Sequence, residues 1–137
     1  MAQLDSQQLH DLADNLSAMA EAIGDYRYKN PDIPDEQDQE INDLQSSILK
    51  YANELYTLSA IIIIDDKDVQ NSLSTISDIT TQIKETYAKL QTIQKAIDVA
   101  ASIVAFGAAL FSKDPKAVAD KINDLVNIWN KPEPHKS

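Results

Sequence analysis

Apolar residues recur every three or four positions through nearly the whole chain. Leu9, Leu12, Leu16, Met19, Ile23 and Tyr26 form one such series. Ile41, Leu44, Ile48, Tyr51, Leu55, Leu58 and Ile62 form a second. A third runs through Val69, Leu73, Ile76, Ile83, Tyr87, Leu90, Ile97, Ala101, Val104, Ala108 and Phe111, with Thr80 and Gln94 at its two polar positions. This spacing places each series on one stripe of an α-helix, and such stripes are buried against neighbouring helices.

The stops between the series divide the chain. The spacing predicts a first helix over residues 6–28, capped by Asp5 or Ser6 and ended by Asn30-Pro31-Asp32-Ile33-Pro34, where neither proline can continue the hydrogen-bond ladder. Asp35 is the expected cap of a second helix reaching about Ile64, with Glu36, Asp38 and Glu40 near its positive dipole end. The run Ile61-Ile62-Ile63-Ile64 suits a strand as well, but Ile62 continues the stripe of Leu55 and Leu58, so helix is the expectation. After the turn Asp65-Asp66-Lys67-Asp68, a third helix is expected over about residues 67–111, ~67 Å long if continuous. It would overhang the second helix unless it bends near Gln94–Asp98 or at Gly107. Asp114 and Pro115 signal the start of a fourth helix, with Val118, Ile122, Leu125 and Trp129 as its stripe, and Pro132 and Pro134 stop it.

The expected fold is therefore all-α: an elongated up-and-down antiparallel four-helix bundle with one extra-long helix (about 67–111) and a C-terminal helical hairpin. Residues 1–131 would make one helical-bundle domain and residues 132–137 a disordered tail. At 137 residues the chain can bury a core without a disulfide or a structural metal. It has no cysteine, which excludes disulfides and thiolate chemistry, and only two glycines, which suits long uninterrupted helices.

Charge changes the picture of partners. Residues 1–68 hold 15 acidic and 4 basic side chains, a net of −11, whereas residues 69–137 hold 7 and 8, a net of +1. An acidic first half repels phosphate, so no nucleic-acid partner is expected, while a basic protein partner would be attracted. The start Met-Ala-Gln-Leu-Asp lacks the basic and apolar regions of a signal peptide. The expected location is cytoplasmic, or secreted without a cleavable signal peptide, with no transmembrane span.

Candidate chemistry is sparse. His10 and Asp14 stand one helical turn apart without an evident third metal ligand, and the acidic stretch Asp32–Glu40 lacks the order and central glycine of a calcium loop. The hydroxyls of Ser72–Thr81 have no His or Lys spaced to activate them. No cofactor and no enzymatic activity are expected.

The segment that stands out is Val99–Phe111, thirteen residues without a charge. Ala101, Ala105 and Ala109 form a row of small residues that lets another helix approach closely. The expected interaction residues are Ile103, Phe106, Leu110, Phe111, Val118 and Trp129, on an apolar C-terminal hairpin that docks onto a protein partner or a second copy. A long amphipathic helix that turns into an apolar Ala/Gly-containing segment and doubles back resembles the layout of the α-helical pore-forming toxins of the cytolysin A and haemolysin BL type, over about residues 69–129. That resemblance implies a membrane-active component, with membrane contact through residues 99–111. The acidic first half implies a third reading, a small inhibitor or immunity-type protein that binds a basic partner.

Overall fold

The computed structural model describes residues 2–3, 6–57, 63–64, 66–90, 92–112 and 115–131. Among these the fold is an all-helical bundle of five α-helices: α1 (Ser6–Lys29), α2 (Asp35–Thr57), α3 (Asp66–Thr86), α4 (Ile93–Ser112) and α5 (Pro115–Asn130). A two-residue strand β1 (Ala2–Gln3) pairs antiparallel with β2 (Ile63–Ile64), in the register Ala2 to Ile64 and Gln3 to Ile63.

Helix α1 ends where the sequence says it must. Arg27 and Lys29 lie in its last turn beside the negative dipole end, and the Asn30 side-chain amide donates to the Tyr26 carbonyl at 2.8 Å. Helix α2 begins with Asp35, Glu36 and Asp38 and runs back along α1. The pairing is fixed by polar bonds along its length. Arg27 grips the Asp38 carboxylate with two hydrogen bonds of 2.8 and 3.0 Å and donates to Asn42 at 2.7 Å. Further along, Gln45 donates to the Ala20 carbonyl at 3.0 Å, and the Tyr56 hydroxyl donates to Asp14. The Arg27 hydrogen bond holds the Asp38 carboxyl below its ordinary range and raises the guanidinium in return.

Two expectations are corrected. Helix α2 spans Asp35–Thr57, and Ile63–Ile64, expected at its end, join a strand ladder instead. Isoleucine is β-branched and favours extended backbone, and the ladder gives its main chain partners that a helix end lacks. Leu58 and Ile62, expected in the α2 stripe, lie outside the described residues, as do Asp5 and Asp114, expected at helix starts, Asp65 of the turn expected before α3, and the tail 132–137.

The extra-long helix is also absent. It is divided into α3 and α4 by a 3-10 turn at Tyr87–Lys89, followed by Leu90 with extended backbone (φ −59°, ψ 138°). The division comes earlier than either bend the sequence suggested. Hydrophobic burial explains it. Folding back lets α4 pack along α2 and α5 and bury Ile103, Phe106 and Leu110. Each such burial is worth about 1.5–3 kcal/mol, against about 0.5–1.5 kcal/mol for each helical hydrogen bond given up at the break. The end of α3 is locally weak as well: the Thr81 and Thr86 hydroxyls donate back to the carbonyls of Ser77 and Gln82 at 3.1 and 2.7 Å, a pattern that loosens helices.

The core follows the predicted stripes in α1, α2 and α3: Leu9, Leu12, Leu16, Met19, Ile23, Tyr26, Ile41, Ile48, Leu55, Ile76, Ile83 and Tyr87 are all buried. Tyr87 stands edge-on to Tyr26, with ring centres 5.5 Å apart, and closes the core where α1 meets the turn.

Candidate functional site: the α4–α5 hairpin

Helices α4 and α5 lie antiparallel, because the first turn of α4 meets the end of α5. The joint is Lys95. Its side chain is only 8% exposed, and its ammonium donates to the carbonyls of Ile128, Trp129 (2.9 Å) and Lys131 (2.5 Å). The Ile128 carbonyl also accepts from the Lys131 backbone N–H at 3.3 Å, Trp129 lies in the last turn of α5 and Lys131 just beyond it, so the cation sits at the negative dipole end where helix carbonyls run out of intrahelical donors. The Trp129 ring nitrogen donates to Gln82 at 3.0 Å, which ties the hairpin to α3.

The six residues expected to form an interaction face divide in two. Ile103, Phe106, Leu110 and Val118 are all within 1% of full burial and belong to the core. Phe111 and Trp129 are half-buried, Phe111 stacked on Tyr51 with ring centres 5.6 Å apart. The first four therefore present no docking face in this conformation. The reason is the break at the Tyr87–Lys89 turn and Leu90, which turns α4 so that Ala96, Val99, Ala100, Ile103, Phe106 and Leu110 face inward. Outward stand Gln94, Asp98, Ala101 and Ala108, with Val104 and Ala105 half-buried beside them. Of the expected small-residue row, Ala101 is exposed and Ala109 buried.

Along the outward side, α4 and α5 enclose a groove of about 670 Å³. Ala101, Ser102 and Ala105 line it on α4, and Lys121, Asp124 and Ile128 on α5. Lys121 and Asp124 sit 3.8 Å apart on successive turns. These α5 residues were missed because the sequence reading followed apolar residues. Gln94 and Asp98, one helical turn apart and both exposed, were the signal that this helix has a solvent side.

Helix α4 is long and apolar enough, by length and composition, to cross a membrane, although most of it is buried inside the bundle. The uncharged stretch Val99–Phe111 is only thirteen residues of this helix. The helix spans twenty, since Gln94, Lys95 and Asp98 sit in its first two turns.

The weaker candidates resolve as local contacts. His10 stands edge-on to the ring of Tyr56, with centres 5.4 Å apart. Tyr56 bonds Asp14, and that carboxylate raises the phenol above its ordinary range. Asp38 is taken by Arg27. Among the described residues, no three His, Cys, Asp or Glu side chains are grouped to hold a metal ion.

The fold thus defines a class, the all-helical bundles. Beyond that class, comparison with protein-family models, with curated proteins and with solved structures gives no match.

Proposed function

We propose that this is a non-enzymatic helical-bundle protein that acts by helix-mediated assembly, with itself or with a protein partner, through the α4–α5 hairpin. The observation that supports it is the distribution of α4 surface. One face is buried in the bundle, yet the opposite face still carries Ala101, Val104, Ala105 and Ala108 beside a groove wide enough to receive side chains of another helix. A helix polar on its outer face would need no further cover. Light scattering from micromolar to millimolar concentration tests the reading. The protein should gain mass with concentration, and Ala105→Glu should abolish the gain while leaving the melting temperature within a few degrees. A monomer at every concentration, with no capture of a protein partner by the hairpin face, overturns it.

The length and apolar character of α4 favour a second reading, a membrane-active component in which this helix leaves the bundle for lipid. Flotation with anionic and neutral liposomes, followed by Trp129 fluorescence, separates the two. A blue shift on flotation supports lipid entry, and an unshifted soluble protein supports assembly. Docking of a basic partner on the acidic α1–α2 pair is the third reading. Its mark is binding that weakens steeply with salt.

A further inference from the structure

From Ile76 to Phe111 one seam runs without a slip: Ile76, Thr80, Ile83, Tyr87, Leu90, Gln94, Ile97, Ala101, Val104, Ala108, Phe111, separated alternately by four and three residues. The folded chain uses that seam only as far as the break. Ile76, Thr80, Ile83 and Tyr87 are buried. Beyond it, Gln94, Ala101 and Ala108 are exposed, Leu90, Val104 and Phe111 are half-buried, and Ile97 alone of the seam stays buried. Such regularity is not needed to make two separate helices that bury different faces.

Nothing in the covalent chain forces the break. No proline or glycine occurs from Asp66 to Phe106, and the Leu90 backbone is one that any residue adopts. Two side-chain bonds hold it. The Tyr87 hydroxyl donates to the Ala96 carbonyl at 2.6 Å, and Trp129 donates to Gln82 at 3.0 Å. On an unbroken helix Tyr87 and Ala96 would stand ~13.5 Å apart along the axis, so the first bond exists only in the folded-back form.

We propose that the Tyr87–Lys89 turn with Leu90 is a hinge. In its second state, residues 66–112 form one straight helix whose seam pairs in parallel with the same seam of a second copy of this chain. The inference rests on the self-assembly reading above and gives it a mechanism. A second copy is the occupant because a heptad seam sustained this long is matched by another of its kind. Large apolar residues (Ile76, Ile83, Leu90, Ile97, Val104, Phe111) hold one set of seam positions, and the other holds smaller or polar residues (Thr80, Gln94, Ala101, Ala108) together with the one large ring of Tyr87. The Thr80 hydroxyl, buried and without a hydrogen-bond partner in the folded-back chain, meets its equivalent across a parallel pair. Helix α5 travels with α4, held by Lys95. Straightening and pairing give up the burial of α4 against α2 and of the Ile76–Tyr87 part of the seam against α1, so the straight state is populated only to the extent that a second copy covers both.

The cysteine-free chain permits a direct test. Spin labels on Asp78→Cys and Ser112→Cys, both exposed and off the seam, stand ~51 Å apart on one helix and well under that in the folded-back chain. The expected result is a ~51 Å population that grows with protein concentration in step with a doubling of mass. Tyr87→Phe should enlarge that population several-fold. Gln94→Leu should do the same without affecting the monomer, where Gln94 is exposed. A single short distance at all concentrations, in the wild type and in Gln94→Leu, overturns the hinge. If mass doubles while the distance stays short, the assembly reading survives and the hinge falls. A long distance that appears only with lipid vesicles overturns the second copy as occupant.

Discussion

The ring of Tyr51 on α2 lies so close to Gly107 on α4 that a methyl group at Gly107 would sit 2.7 Å from the ring carbon Cδ2 and 3.1 Å from Cγ. This contact sets the distance between the two helices, and the same ring stacks on Phe111 one turn later. In Gly107→Ala the helix gains about 1 kcal/mol of propensity but meets an overpacking cost of about 1–3 kcal/mol, because a half-buried ring wedged under Phe111 cannot simply swing away. The variant should melt a few degrees lower. At Gly24 the nearest atom is the flexible end of Gln45, at 2.9 Å, so Gly24→Ala should be neutral or slightly stabilising. Thermal melts of the two variants side by side check the contrast.

Lys95 closes the open end of the α4–α5 hairpin through three carbonyls. Lys95→Met keeps the aliphatic stem but leaves those carbonyls without their cation. Hydrogen bonds to a charged group are worth about 1.5–3 kcal/mol, so urea unfolding should show a loss of about 2 kcal/mol. Hydrogen exchange should quicken first in the last turn of α5.

Thr80 is 5% exposed, and its hydroxyl has no partner. Thr80→Val removes the buried hydroxyl at nearly constant shape, which relieves a desolvation cost of about 1–3 kcal/mol. The monomer should become more stable to urea at dilute concentration.

Burial pushes the Tyr87 phenol far above its ordinary range, with the neighbouring Tyr26 raising it further. A raised pKa in the folded state means that the stability is intact below about pH 10, where the unfolded phenol begins to ionise, and is lost as the pH rises beyond it. The slope contributed by this one residue reaches about 1.4 kcal/mol per pH unit. Urea melts between pH 9 and pH 11 should show the decline, and Tyr87→Phe should flatten it.

Helix α1 was legible almost to the residue, Ser6–Lys29 against an expected 6–28, because its start and stop are local: a capping sequence before it and Asn30-Pro31 after it. The stripes of α1, α2 and α3 were legible for the same reason, since a helical period needs no knowledge of its partner. The break after Tyr87 was not. Its cause lies in what α4 touches once it turns back, namely Tyr51 on α2 and, through the Lys95 joint, the end of α5. Ile63–Ile64 misled for a related reason: isoleucine fits a helix or a strand, and the Ala2–Gln3 backbone, some sixty residues away, decided between them.

Period and prolines thus determined that this chain is helical, that the stripes of its first helices turn inward (with Leu44 and Tyr51 only half-buried), and that residues 99–111 are its longest uncharged apolar stretch. All of these follow from interactions within a few residues of sequence. Only the tertiary structure decided which face of α4 is buried, and so which of Ile103, Phe106, Leu110 and Val118 a partner can reach. Beyond its first two turns α4 is apolar on most of its circumference, so the neighbours packed against it choose which face is inside.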